Sequence, residues 1–321
     1  MPAHQRARNA TADPSSLCRS NHYRFALSLA YDGTSYQGFQ SQPHGHTIQD
    51  VLEARLQRML RRKVRVLGWG RTDAGVHANG AVCTVDLSQE EVMRFGKKKG
   101  ELATTVDVKE TTTDACLERV ATVLCSTFQD VCRDGSIVAR KCQSVPRTFD
   151  ARFSCRWKRY IYTIACSSSS SSKSPMLKRY TWQMAKTVLD FHKMQTTASL
   201  LNGRHNFSWL SKVLPGDALD PFRTLELAIE KKTPVLLFFP SSDNMDVYQI
   251  SAVCDFFLYR MVRRIVGLLV AVGKGQVEPS LVASCLEEHD EGGRVVPREL
   301  VYTAPPNGLT LDHIQYDSIS M

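Results

Sequence analysis

The sequence predicts an α+β fold, in two units behind an N-terminal tail. Two kinds of pattern carry that expectation. Several runs alternate apolar and polar side chains with the period of a strand, and others space apolar residues as one face of a helix. In the first half these follow one another as strand, helix, strand, then a further helix and strand, an α+β unit. The chain has 321 residues, enough for two domains and a real core.

Residues 1–22 form the tail, polar and without hydrophobic periodicity, with Arg6, Arg8 and Arg19 against one acid, Asp13. It is expected to be disordered; an arginine-bearing, acid-poor start is also the composition of an organellar transit peptide. The expected compartment is therefore cytoplasmic, nuclear or organellar.

The first unit spans residues 23–145. Residues 23–31 put Phe25, Leu27, Leu29 and Tyr31 on one face and Arg24, Ala26, Ser28 and Ala30 on the other, as a half-buried strand does. Asp32, Gly33 and Thr34 turn the chain into residues 35–42, where Tyr36 and Gln40 belong to a loop that is either plain surface or a contact for nucleic acid. Thr47 and Asp50 have the spacing of a helix capping box, and Ile48, Val51, Leu52, Leu56, Met59 and Leu60 share one helical face. Arg55, Arg58, Arg61, Arg62 and Lys63 lie outward, as a solvated face or a grip on phosphates. Residues 64–67 and 81–87 read as strands. Residues 88–100 are polar and end in three lysines, and a threonine-rich stretch runs to Thr113. A helix at 115–128 turns Leu117, Val120, Ala121, Leu124 and Phe128 inward, Gly135 makes a turn, and 137–142 is a short strand. Pro146 marks the boundary.

The second unit spans residues 146–321. Its first strand, 158–164, puts Tyr160, Tyr162 and Ile164 on one face, ordinarily a packing arrangement. Serines 167–172 are of low complexity and are expected to be a floppy loop. Leu189, Met194, Ala198 and Leu201 make a helix that stops at Gly203, and residues 225–229, 235–239 and 247–253 read as strands. Residues 256–272 form the most apolar helix, with Arg263 inside it. An arginine buried there unpaired costs about 3 to 5 kcal/mol, so it either reaches water or takes an acidic partner, for which Asp73 is the candidate. Pro305 and Pro306 turn the chain into a last strand at 309–316.

Lysine and arginine number 41 against 32 acids, a net charge of +9. Such a surface attracts polyanions, nucleic acid first among them, or simply keeps the protein in solution. The ten cysteines contain no Cys-x-x-Cys pair, so no zinc site is signalled, and without a secretory signal most of them read as buried thiols in a reducing compartment. The apolar run at 265–272 is too short to span a bilayer.

Residues 70–78, Gly-Arg-Thr-Asp-Ala-Gly-Val-His-Ala, lie between two expected strands and so present Asp73 in a loop. Gly70 and Gly75 allow tight turning and close approach of another molecule. Alone, such an aspartate most often bonds its own turn; Arg71, a fixed cation two residues away, and the hydrogen-bonding Thr72 and His77 favour a charged, functional one.

Arg71 to Ala78 as it stands resembles the catalytic signature of the tRNA pseudouridine synthase A family. Further stretches resemble that family in the same order: Tyr31-Asp32-Gly33-Thr34 with Tyr36 and Gly38, Arg152-Phe153-Ser154, Arg159-Tyr160-Ile161-Tyr162, Gly203 with His205 and Phe207, Met261-Val262-Arg263 with Ile265-Val266-Gly267, and Ala304-Pro305-Pro306 with Gly308-Leu309. The resemblance implies two ferredoxin-like, RRM-like subdomains whose sheets join into one extended mixed sheet with a central basic cleft. It implies a homodimer that binds tRNA, with no metal, no other cofactor and no membrane. It also implies the reaction, uridine to pseudouridine in the anticodon arm at about positions 38 to 40, on a base that must leave its stack. Carried over by position, Asp73 matches the nucleophile, Tyr160 the tyrosine that stacks on the base, and Arg263 the arginine paired with the aspartate. Arg71 and His77 match signature positions that support the loop or touch RNA; Tyr36 and Gln40 are further substrate contacts. Departures are Phe39 for a usual tryptophan, Asp150 for histidine and Thr310 for tyrosine, and the segments 88–113 and 167–172 look expanded.

Two other readings compete with this one. A tRNA-binding protein without turnover would not need Asp73, Tyr160 and Arg263 together, and a glycoside hydrolase needs a second carboxylate that the motif does not offer.

Overall fold

A computed structural model of the chain describes residues 22–43, 45–97, 113–129, 134–168, 175, 177–212, 220–232, 245–290 and 301–321. Residues 1–21 of the expected tail, Lys98 and Lys99, residues 169–172 of the serine run, the strand at 235–239 and the loop at 241–244 lie outside these residues; His22, expected in the tail, opens the first strand, where it pairs with Ser88. The described residues hold ten strands and six α-helices around one mixed sheet.

Strand β1 (His22–Tyr31) pairs antiparallel with β3 (His77–Ser88) on one side and β4 (Ile137–Val145) on the other. It is buried on both faces rather than half-buried, because Ala26, Ser28 and Ala30 are small enough to be covered by their neighbours. Helix α1 (Ile48–Leu60) starts where expected, Thr47 capping the Asp50 N–H, and buries Ile48, Leu52, Leu56 and Leu60. Two of its expected phosphate-facing cations are used inside the fold: Arg55 donates to the Thr127 carbonyl, and Arg62 clasps Glu91 at 2.6 and 2.8 Å. The strand expected at 64–67 shrinks to β2 (Leu67–Gly68), since only those residues find partners, Thr84 and Cys83 of β3.

The polar stretch after β3 contains a helix that periodicity alone did not show, α2 (Gln89–Gly96). Its signal is a capping box, Ser88 and Glu91 each satisfying the other's backbone N–H. Helix α3 (Asp114–Thr127) buries Cys116, Val120, Ala121 and Leu124, with Leu117 only half-buried.

The second half begins with β5 (Cys155–Ser167), longer than expected at both ends, with β6 (Trp182–Ala185) parallel beside it. Helix α4 (Phe191–Leu201) is capped by Asp190 and followed by β7 (Gly203–Asn206), β8 (Phe222–Lys232) and β9 (Met245–Cys254). The apolar helix, α5 (Met261–Gly273), starts five residues later than the 256–272 expected, because Asp255 bonds the Phe256 N–H and Arg260 adopts a left-handed backbone. Arg263 is therefore in the first turn of α5, not at its centre. A further helix, α6 (Pro279–Asp290), was not anticipated; the last strand, β10 (Leu309–Tyr316), has the expected bounds.

The sheet runs β4-β1-β3-β10-β5-β9-β8-β7. Its two halves meet where β10 lies parallel to the start of β3, His77 opposite Thr310 and Ala78 opposite Leu311. On its other side β10 pairs along β5, so the last strand of the chain joins the first half to the second. The loop bearing Asp73 leaves β2 and enters β3 at this junction. Fold topology thus brings the motif to the second half of the chain.

Candidate active site

The loop between β2 and β3 is held from behind. The Phe39 N–H donates to the Thr72 carbonyl at 3.3 Å, the Gly75 N–H to the Tyr36 carbonyl at 3.2 Å, and the Tyr31 and Thr72 hydroxyls bond at 2.9 Å. Gly75 has φ 77°, the left-handed turn for which a glycine was expected; Gly70 does not, and a Cβ added there would approach the Lys158 ammonium at 3.9 Å.

Asp73 faces the second half. Its Oδ2 accepts a hydrogen bond from Arg263 Nη1 at 2.5 Å, and among the described residues its carboxylate makes no hydrogen bond with its own turn. The Arg263 side chain is oriented from two directions. Its Nε donates to the Ala304 carbonyl at 2.7 Å, while the Ala304 N–H returns a bond to the Arg263 carbonyl at 3.0 Å. Residues 304–306 therefore touch both the arginine and the loop that bears Asp73, with Pro306 packed beside Gly75.

A second arginine approaches the same oxygen. Arg260 Nε lies 3.9 Å from Asp73 Oδ2, its guanidinium over the Tyr259 ring at 5.0 Å. Its backbone, at φ 60° and ψ 11°, is left-handed, which costs a non-glycine residue about 1 to 2 kcal/mol. Sequence reasoning passed over Arg260 as a site residue. The available signal was its spacing, since positions 260 and 263 are three apart and share a helical side.

Tyr160 is 8 % exposed on β5, edge-on to Phe257 at 5.2 Å and tilted to Trp69 at 6.5 Å. Burial pushes its phenol well above the usual tyrosine range, and nearby Tyr31 and Asp73 push the same way, so it stays protonated at neutral pH. Two residues earlier on the same face is Lys158, also buried, its ammonium 5.5 Å from the ring centres of both Trp69 and Phe256. Burial lowers its pKa.

The remaining expected site residues are placed differently from one another. Arg71 is exposed and makes no ion pair among the described residues; the cation paired with Asp73 is Arg263, not Arg71. His77 is buried, Nδ1 accepting from the Gly33 N–H at 3.1 Å and Nε2 donating to the Arg179 carbonyl at 2.9 Å. It ties the loop to neighbouring segments. Beside it, burial would raise Asp32, but bonds from Thr34 and Tyr180 and the nearby His77 outweigh that and hold the carboxyl below its usual range. Tyr36 is not a surface contact: its ring is buried and stacks on His46 at 5.0 Å, its hydroxyl bonded to Ser136 at 2.7 Å. Apolar ring area is worth more covered than wet, and the loop turns Tyr36 and Phe39 inward. Gln40 is half-buried.

Among the described residues no group of three His, Cys, Asp or Glu side chains is placed to hold a metal ion, and no helix is long and apolar enough to cross a membrane. What the junction offers is one carboxylate, two guanidinium groups and a protonated phenol, between aromatic walls.

Comparison with known proteins identifies the family. The family model described as tRNA pseudouridine synthase matches residues 28–100 and 197–317, segments that include Asp73, Arg260 and Arg263; Tyr160 falls between them. A tRNA pseudouridine synthase A of Thermosipho africanus is 32% identical over 90% of this chain and 97% of its own length. Proteins of the same description from Geotalea daltonii, 32% identical over 90% of the chain and 98% of that protein, and Agrobacterium fabrum, 28% identical over 92% and 93%, are similar along nearly their whole lengths.

Proposed function

The chain belongs to the tRNA pseudouridine synthase family and is an isomerase that makes pseudouridine in tRNA; we propose that Asp73 is its nucleophile. The observation that carries this reading is the contact between Asp73 and Arg263, which brings the motif of the first half against the apolar helix of the second.

The reaction breaks the bond between ribose C1′ and uracil N1 and makes one between C1′ and C5; N1 gains a proton and C5 loses one. No external reagent is consumed. Asp73 serves this chemistry by attacking the base, by attacking the ribose, or by assisting departure of the base; either attack needs its charged form. Arg263 stabilises that charge: two unit charges about 4 Å apart attract by roughly 4 kcal/mol at an effective dielectric near 20. The direct hydrogen bond and the partial burial of both groups support this role.

Tyr160 is proposed to hold the detached uracil by ring contact, worth about 1 to 3 kcal/mol per base. Its phenol, kept neutral by burial, is unsuited to act as a base at neutral pH. Arg71, exposed at the tip of the loop, is proposed as a contact to RNA, and His77 as the residue that positions the loop. The target is proposed to be a uridine at about positions 38 to 40 of the anticodon arm, extruded at a cost of a few kcal/mol that contacts in the basic cleft offset.

The same reading includes two ferredoxin-like subdomains, residues 23–145 and 146–321, with the cleft between them, and a homodimer. The short parallel contact between β3 and β10, two residue pairs against four for β7 with β8, supports the division. Light scattering of the purified chain tests the homodimer.

The functional test is conversion of unmodified tRNA by the purified chain, with pseudouridine mapped along the product. Modification confined to the anticodon arm is expected. Modification elsewhere would overturn the positional assignment, and tRNA binding without conversion would favour the binding protein.

A further inference from the structure

We propose that Arg260 is a second cationic contact of the site, holding the phosphodiester next to the nucleotide being isomerised while Arg263 holds Asp73. This rests on the reading of tRNA as substrate and extends it to one named contact.

The first argument is charge. Asp73 carries one negative charge, and its hydrogen-bonded partner is Arg263. Arg260 brings a second positive charge within 3.9 Å of the same oxygen, so the junction has a cation in excess. An excess cation beside a carboxylate that must meet RNA matches an anionic group carried by the RNA itself.

The second argument is the state of the guanidinium. Its Nε is buried and has no hydrogen-bond partner, and 3.9 Å is too long to count as a bond to Asp73. Buried donors are nearly always satisfied, so one left open at a reactive centre calls for an explanation. The side chain as a whole is 33 % exposed, within reach of a ligand. With one face of the guanidinium over Tyr259, the edge of the fork is the part left for an acceptor, and a phosphate's paired oxygens match that edge.

The third argument is the backbone. Arg260 stands in a left-handed conformation that glycine or asparagine would take with less strain. Strain of this kind persists where the surroundings impose it, and it gathers at ligand clamps. The conformation starts α5 immediately after Arg260, which sets Arg260 and Arg263 on the same carboxylate within one turn of chain.

The test compares the full chain with Arg260→Gln, Arg260→Gly and Arg260→Lys, measuring tRNA dissociation constants across a range of salt, thermal melting, and single-turnover conversion. The glycine variant is the folding control, because it relieves the backbone and should melt no lower than the parent. The glutamine and glycine variants are expected to bind tRNA about tenfold more weakly at low salt, with the slope of log K against log salt reduced by about one, and lysine is expected to restore most of that slope. An unchanged slope in both the glutamine and glycine variants would overturn the proposal. A loss of affinity at constant slope would also overturn it, assigning Arg260 to structure. The slope is read on binding and decides the role of Arg260 whether or not turnover is seen; the proposed reaction fails separately, if the parent chain converts no uridine.

Discussion

Asp73 and Arg263 are 190 residues apart in the chain and 2.5 Å apart in space. The aspartate stands in a loop between two strands; the arginine is in the first turn of a helix whose remaining length is almost wholly apolar. Each charge finds its hydrogen-bonded partner in the other half of the chain.

Asp73→Asn keeps the shape of the side chain and removes the nucleophile. Conversion should fall by a factor on the order of 10⁴ or more, while tRNA binding holds or tightens, because a negative charge facing RNA has gone. Turnover and filter binding on the same preparation check both halves, and retained turnover would end the assignment.

Arg263→Lys keeps the charge but cannot reach Ala304 and Asp73 at once, as Nε and Nη1 of the arginine do. The loss of one charge-assisted bond predicts a fall in kcat of about 10- to 100-fold. KM should change little, since the pair faces the reacting group; a change confined to KM would argue that Arg263 serves binding alone.

Tyr160→Phe and Tyr160→Ala separate ring from hydroxyl. If the ring holds the base, phenylalanine retains most of the affinity for a stalled complex and alanine loses about 1 to 3 kcal/mol. Equal losses in the two variants would assign the work to the hydroxyl.

Lys158 predicts a dependence of stability on pH. Burial makes the native lysine hold its proton less tightly than the unfolded chain, whose value is near 10.5. Below the lowered native pKa both states carry the charge and the full cost of burying it is present. Between that value and 10.5 the unfolded state binds the extra proton, so this residue's contribution to stability rises with pH. Lys158→Met removes the buried charge and should be the more stable protein near neutrality, by a margin that narrows as pH rises through the window. Denaturant unfolding at several pH values measures the margin; a constant one would show that the two rings already offset the burial.

Gly267 predicts coupling between packing and chemistry. A Cβ there would lie 1.9 Å from the Tyr302 carbonyl oxygen, so Gly267→Ala must push α5 away from residues 301–304. Overpacking of this kind costs about 1 to 3 kcal/mol. Because Ala304 orients Arg263, kcat should fall with stability, although position 267 touches no substrate. Full activity in a destabilised variant would show that the clamp tolerates the shift.

Much of this was legible in the chain itself. The alternation of residues 23–31, the proline turn into 309–316, the cap at Thr47 and the apolar faces of α1 and α4 are local patterns, and local patterns report local energetics. The motif at 70–78 announced a presented carboxylate, and Arg263 was marked by standing charged among apolar residues. Where the local signal misled, a distant partner had intervened: β2 kept only the residues that β3 could pair, and Tyr36 went inward against Ser136 and His46.

By itself, then, the sequence determined which segments are strands and helices in most of the chain, and that an aspartate in a glycine-flanked turn is the residue to watch. Tertiary structure alone decided who its neighbours are. The clamp from Ala304 and the meeting of His77 with Thr310 come with the last strand of the chain entering the sheet beside β3. The physical reason is that hydrogen bonds across a sheet and ion pairs between loops depend on distance in space, and spacing along a chain does not encode that distance.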